Sequence, residues 1–335
     1  MTPRVSIVMP VYNAEGTLAD AIGSLLAQSM KEFELHLILN GCTDGSDAIA
    51  ERFSNSDSRV GLLSLKGSPD VAAAANLGIS MANCPFIARM DSDDVAYPDR
   101  LERQYKLLSD DQSLAAVGGR VRLIDPQGEG MQRYVDWVNG HATPEDVARE
   151  RFIECPVVQP SLMFRREALL EAGGYRDVTW AEDHDLFFRM LEAGMRFGKV
   201  DEVVLDWRDS ATRLTRTHAS YGEEEVWKMK SHYLARLPEV CARGVAICGA
   251  GPIGKRLARL LTLERIEVHG FFEVNPRRIG EGIQGVPVAG PEEFGRRWRE
   301  AVLLSAVGVE GGRERVRGIA DAAGYLEGED FWCCC

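Results

Sequence analysis

The chain has 335 residues, 45% hydrophobic and 27% charged, the make-up of a soluble globular protein with room for one large α/β domain and a smaller one. A formal net charge of −12 excludes general nucleic-acid binding, which needs a basic footprint, and equally excludes electrostatic docking on an anionic membrane. No apolar run reaches the length of a membrane span, and the eight cysteines show neither metal-type nor disulfide-scaffold spacing.

Met1–Val5 leads straight into a strand, so no signal peptide is expected and the cytoplasm is the simplest location, with the inner membrane face reached through a partner. Val5–Met9 is a β-branched run, and Glu15–Gln28 carries Leu18, Ile22, Leu25 and Leu26 at helical spacing. Phe33–Leu39 alternates as a strand, Ser46–Phe53 reads as helix, and Val60–Leu65 as strand. An alanine-rich helix spans Asp70–Ala82, and the buried strand Phe86–Met90 ends directly at Asp91. This alternation predicts a mostly parallel sheet with helices on both faces, whose ligands sit beyond the carboxyl ends of the strands. Three polar clusters fall there: Pro10–Asn13, Asn40–Asp44 and Asp91–Asp94.

From about residue 115 to 210 the pattern becomes mixed. Ala115–Ile124 and Ser161–Phe164 read as strands, and Glu182–Ala193 and Glu223–Leu237 as helices, with Pro238 in a linker. A small α/β unit follows: a strand from Val245, a helix through Leu263, strands Val268–Phe272 and Ala301–Ser305, and a helix around Glu314–Ala323. Cys333–Cys335 lacks a prenylation pattern and reads as a frayed, exposed end. The domains expected are 1–220, a helix and linker over 221–243, and 244–335.

Asp91, Asp93 and Asp94 stand where a buried strand gives way to a turn. Carboxylates at i and i+2 can face the same way, and hard oxygen ligands suit Mg²⁺ or Mn²⁺ bridging a diphosphate. Loop decoration or capping of the helix near Pro98 is the simpler alternative for an isolated D-x-D.

Several ordered blocks stand out: Ser6–Asn13, Asn40–Ser46, Ala75–Ile79 and Ala88–Asp94, then Gln159–Phe164 with Gly173–Arg176, and Ala181–Leu186. Taken together and in this order, they resemble the family 2 glycosyltransferases with the GT-A fold. The resemblance implies an α/β fold of GT-A type, a nucleotide-diphospho-sugar donor, a divalent cation, a hydroxyl-bearing acceptor and inversion at the anomeric carbon. It implies nucleotide contact by Pro10, Val11, Tyr12 and Asn13. Asn40 replaces the aspartate many relatives carry, which leaves the donor base open; turn chemistry before Gly41 explains it nearly as well. Asp44 resembles the nucleotide-side acid, with capping near Ser46 as competitor. Asn76 sits where donor contact is expected, although Ala75 replaces the larger residue that often precedes it. Asp93 is implied as cation ligand, Asp91 as ligand or ribose contact, and Asp94 as structural.

The resemblance places the general base at Asp183, although an acid at a helix start is also stabilised by the helix dipole, which works against basicity. In the basic, polar loop expected over Trp207–His218, Arg213, Arg216 or His218 could close over the diphosphate. Pairing with nearby acids explains the stretch equally well.

Gly249, Gly251 and Gly254 follow a strand and open a helix, with Glu273 at the end of the next strand, the context of a dinucleotide fingerprint. With Gly270–Pro276 and Gly285–Val288, the unit resembles small Rossmann-like domains found beside sugar-modifying enzymes. Tight strand–helix packing explains the glycines slightly better than NAD(P) binding. An NAD(P)-dependent oxidoreductase leaves the Asp91 and Asp183 blocks unexplained. A nucleotidyltransferase calls for a glycine- and arginine-rich loop that Pro10–Asn13 is not. A non-catalytic sugar-nucleotide-binding protein has no need of Asp93 and Asp183. The expected partners are the donor and the acceptor, whether sugar, lipid-linked glycan or small molecule, with self-assembly left open.

Overall fold

The computed structural model describes residues 2–67, 69–283 and 285–335; Met1, Ser68 and Gln284 lie outside the described residues. Two compact units emerge. The first comprises Met1–Ala148, Pro156–Val178 and Glu182–Thr217, and the second Arg149–Cys155, Thr179–Ala181 and His218–Cys335.

The first unit begins with β1 (Val5–Val11), α1 (Leu18–Leu26), β2 (Phe33–Leu39), α2 (Ser46–Ser56), β3 (Val60–Ser64), α3 (Val71–Met81) and β4 (Phe86–Arg89). All seven residues of β1 are buried, as a parallel strand covered on both faces requires. On α1, Leu18, Ala21, Ile22 and Leu25 form the buried stripe. Asp70 caps α3 by accepting from the Ala73 N–H at 2.9 Å. Helix α3 packs so closely on the sheet that a Cβ at Gly78 would lie 2.5 Å from Val8 Cγ1 and 2.8 Å from Ile38 Cδ1.

The unit continues with β5 (Val95–Ala96), α4 (Arg100–Asp110), β6 (Leu114–Ile124), α5 (Glu129–Gly140), α6 (Pro144–Glu150), β7 (Met163–Arg165), α7 (Arg166–Glu171), α8 (Glu182–Glu192), β8 (Arg196–Arg208) and α9 (Leu214–Thr217). Sheet order is β3-β2-β1-β4-β7-β6-β8-β5, with β3 to β4 all parallel and β7 antiparallel to both its neighbours. The order reverses between β1 and β4, so a crevice opens beyond their carboxyl ends.

Trp207 and Arg208 close a long strand, β8, rather than opening a loop. Between Gly119 and Arg120 of β6 its register slips, so that exposed Asp201 and Glu202 bulge out and the period-2 pattern breaks. Pro160 lies in a 3₁₀ turn, Gln159–Ser161, so the strand expected from Ser161 begins only at Met163.

The second unit carries α10 (Glu223–Leu234), α11 (Pro238–Arg243), β9 (Val245–Cys248), α12 (Pro252–Leu263), β10 (Val268–Phe272), β11 (Gly282–Ile283), β12 (Val286–Ala289), β13 (Val302–Ser305), α13 (Gly312–Ala322) and β14 (Phe331–Cys333). Its parallel strands run β12-β10-β9-β13-β14, the 3-2-1-4-5 order of a doubly wound sheet, with β11 antiparallel at the edge. The cysteine tail is therefore not frayed. Leu303, Leu304 and Ser305 of β13 pair with Phe331, Trp332 and Cys333, and Cys333 and Cys334 are fully buried. No helix among the described residues is long and apolar enough to cross a membrane.

Candidate active site

The three polar clusters that end β1, β2 and β4 meet in the first unit. The Val11 carbonyl accepts from the Asn40 N–H at 2.9 Å and from Cys42 Sγ at 3.3 Å. Asn13 takes a left-handed conformation, φ 46°, open to a short polar side chain, and its Oδ1 accepts from the Thr43 N–H at 2.8 Å. Pro10 and Val11 are buried in β1, whereas the Tyr12 ring is 51% exposed at the lip. Thr17 Oγ1 donates to the Ser92 carbonyl at 3.0 Å, which joins the lead-in of α1 to the acidic turn.

Two nucleotide-side candidates carry local duties. Asn40 is buried, and its Oδ1 accepts from the Asp70 N–H at 3.0 Å, tying the end of β2 to the cap of α3. Asp44 accepts from the N–H groups of Glu15 and Ser46, each at 3.0 Å, so the capping expected near Ser46 is present. Burial works to raise the Asp44 pKa, but hydrogen bonds from Ser46 and Glu15 outweigh it and hold the carboxyl below its usual value.

The carboxylates of Asp91, Asp93 and Asp94 offer oxygens that all lie within 4.8 Å of one another. Arg89 Nη2 pairs with Asp91 Oδ1 at 2.8 Å. Asp94 is buried; one oxygen accepts from the Arg208 N–H at 2.8 Å, and the other has no hydrogen-bond partner among the described residues. Arg208 Nε also donates to the Asp93 carbonyl at 2.9 Å, so the end of β8 grips the acidic turn. Burial and the charge of Asp91 push the Asp93 carboxyl up to about 6 against the pull of Arg213 and Arg208, and burial drives Asp94 well upward too. Crowded acids that resist ionising, one with an orphaned buried oxygen, are a donor set that a hard divalent cation fits.

Facing this cluster is the start of α8. Its footing is the Gly173–Gly174–Tyr175 turn: Asn76 Oδ1 accepts from the Tyr175 N–H at 2.9 Å and its Nδ2 donates to the Tyr175 carbonyl at 2.8 Å. Asn76, expected at the donor, thus pins α3 to that turn. Arg189 binds Asp185 at 2.7 Å and the Gly174 carbonyl at 2.6 Å, locking α8 to the same turn. Asp183 Oδ1 accepts from the His184 N–H at 2.9 Å. Burial first, then the neighbouring charge of Asp183, pushes the Glu182 carboxyl up to about 8; the charges of Arg89 and Asp91 also reach it. The acidic turn and the start of α8 therefore share one electrostatic environment.

Of the basic stretch, the Arg213 guanidinium lies 4.1 Å from the centre of the Trp207 ring, and its Nη1 donates to the Arg208 carbonyl at 2.9 Å. Arg216, another candidate for the diphosphate, pairs with the buried Asp209 at 2.7 Å, as the alternative of pairing with nearby acids anticipates. His218 caps a 3₁₀ turn by accepting from the Ser220 N–H at 3.4 Å. Sequence reasoning missed Arg89, Tyr175 and Arg208. An arginine closing an otherwise apolar strand before an acidic turn is the signal that could have found Arg89.

In the second unit, Gly249 has φ 97°, and a Cβ at Gly254 would lie 1.9 Å from the Gly249 carbonyl oxygen, so the glycines seat α12 against β9. The Glu273 carboxylate accepts from the N–H groups of Ala250 (3.2 Å), Val274 (2.8 Å) and Asn275 (3.1 Å) and pairs with Arg278 at 3.3 Å. An acid committed to backbone in this way favours tight packing over NAD(P) binding.

The sequence model of Glycosyl transferase family 2 matches residues 6–173. EpsE of Bacillus subtilis (strain 168) is 32% identical over 65% of this chain and 78% of EpsE. The O-antigen biosynthesis glycosyltransferase WbnJ of Escherichia coli is 30% identical over 61% of this chain and 79% of its own. In fold, the chain is similar to S. aureus TarS 1–349, solved in complex with UDP-GlcNAc: TM-score 0.59 at 17% identity, covering 78% of this chain and 72% of that one.

Proposed function

The chain belongs to glycosyl transferase family 2 and has the GT-A fold, and from that premise we propose that it moves a sugar from a nucleotide-diphospho-sugar to an acceptor hydroxyl with inversion. The observation that carries the reading is the pairing of a carboxylate cluster after β4 with a second acidic pair at the start of α8. When bound, a Mn²⁺ or Mg²⁺ ion supplies positive charge against the diphosphate as it leaves. Asp93 and Asp91 would hold it, with the buried Asp94 as a third oxygen source.

Pro10–Asn13 shape the nucleotide side, where the exposed Tyr12 ring offers a stacking face. Asn40 and Asp44 hold that wall by their hydrogen bonds to Asp70, Glu15 and Ser46. Arg213, braced on Trp207 and electrostatically coupled to Asp93, is placed to meet phosphate oxygens. Asp183 accepts the proton of the acceptor hydroxyl while that oxygen bonds to the anomeric carbon and the bond from carbon to diphosphate breaks. Asn76, through Tyr175, keeps the footing of α8 in place.

Asp183→Asn tests the base directly. Release of nucleoside diphosphate in the presence of hydroxyl acceptors should fall by about 100-fold or more. Donor binding should stay within about twofold, since removing a proton acceptor raises the barrier rather than weakening ground-state contacts. Wild-type turnover in Asp183→Asn removes this assignment.

A further inference from the structure

Granting that Asp91 and Asp93 hold the cation, as proposed above, we infer that Arg89 is the positioning residue of that site: by holding one oxygen of Asp91 it sets the direction of the other. Arg89 closes β4 and is 4% exposed. Its N–H donates to the Leu162 carbonyl at 2.9 Å, and its carbonyl accepts from Arg100 Nη2 at 2.7 Å, so its backbone is held from both sides. From that mount, Nη2 reaches Asp91 Oδ1 at 2.8 Å while Nη1 donates to the Met90 carbonyl.

The mount is itself anchored. Arg100 is buried, and its Nε donates to Gln104 Oε1 at 3.2 Å. Gln104 Nε2 donates in turn to the carbonyls of Val117 at 3.1 Å and Ser161 at 2.6 Å. A continuous path of buried, hydrogen-bonded groups runs from β6 to the Asp91 carboxylate.

Burying a guanidinium is costly, and an apolar side chain of similar volume would fill the space at lower cost. What the apolar side chain lacks is a planar guanidinium that is itself anchored on the Met90 carbonyl through Nη1 while Nη2 holds one oxygen of Asp91. Asp91 then meets the cation through an oxygen whose direction is set before binding, the function that outer-sphere partners serve in metal sites.

Two roles for Arg89 predict opposite signs. If its charge merely repels the cation, removing it strengthens cation binding. If it positions Asp91, removing it weakens binding, by about tenfold on the scale of outer-sphere substitutions.

The test is Mn²⁺ binding to the full chain, followed by electron paramagnetic resonance with the metal alone and with saturating UDP or GDP. Arg89→Met should bind Mn²⁺ about tenfold more weakly, with Arg89→Lys between it and wild type. In an Asp91→Asn background the Arg89→Met change should vanish, because Arg89 acts through Asp91 and a purely structural defect would persist. Unchanged or tighter binding by Arg89→Met overturns the inference, as does an undiminished effect in the Asp91→Asn background. Should Arg89→Met fail to fold, Arg89→Lys decides: wild-type affinity overturns the positioning role. A wild-type chain that binds no Mn²⁺, or an Asp93→Asn variant that binds it normally, overturns the cation-site reading itself and the Arg89 role with it.

Discussion

Glu182 keeps its proton far above the pH at which an ordinary glutamate loses it. In the unfolded chain that proton leaves near 4.5, whereas in the fold burial and the charge of Asp183 move the loss to about 8. Between those values the native state binds more protons than the unfolded one, so stability falls as pH rises through that window. Glu182→Gln removes the proton difference. The wild-type melting temperature should therefore drop between pH 6 and pH 8, by about 3 °C for each kcal/mol involved, and the variant should show a flatter profile. Equal pH slopes in a thermal-melt series would falsify the assignment of that titration to Glu182. The neighbouring Asp183 is the group we expect to take the acceptor proton.

Helix α3 is held against β1 and β2 with no space for a side chain at Gly78, where an added methyl would meet Val8 and Ile38 at 2.5 and 2.8 Å. Gly78→Ala should cost about 1–3 kcal/mol of stability, read as a shift in the urea midpoint with an unchanged slope. The first strands and helices were legible in the sequence because β1 is a largely apolar run, β2 alternates, and α1 carries its buried stripe at helical spacing. Strand β8 was not legible, because its two-residue bulge at Asp201 and Glu202 disrupts the alternation. Helices α5 and α6 were not read either, with only Val135 and Val138 buried on α5 to signal a core face. The acidic turn was legible as a carboxylate cluster following a buried strand, and the fold brings its oxygens within 4.8 Å of one another. Arg89 and Arg208 were not legible, since their partners are set by the sheet rather than by neighbours in sequence. The cysteine tail misled in the opposite sense: three successive cysteines carry no strand pattern, yet β13 recruits Cys333 into the sheet and Cys334 is buried beside it.

Across the whole chain, a net charge of −12 surrounds a first unit whose crevice concentrates acids at the turn after β4 and at the start of α8. Such a crevice repels a nucleotide diphosphate unless a divalent cation and basic groups such as Arg213 offset the charge. The second unit adds a doubly wound sheet whose glycine turn is committed to packing and whose Glu273 is committed to backbone. NAD(P) binding is therefore not expected of it. The measurement that bears most directly on this account is a thermal-shift series on the wild-type chain and Asp93→Asn, with UDP-, GDP- and dTDP-sugars, each with and without Mn²⁺, alongside NAD⁺. The account predicts that at least one nucleotide-sugar stabilises the wild type only when Mn²⁺ is present, and that Asp93→Asn abolishes the shift. Stabilisation by NAD⁺ alone, or a nucleotide-sugar shift that survives Asp93→Asn, would contradict it.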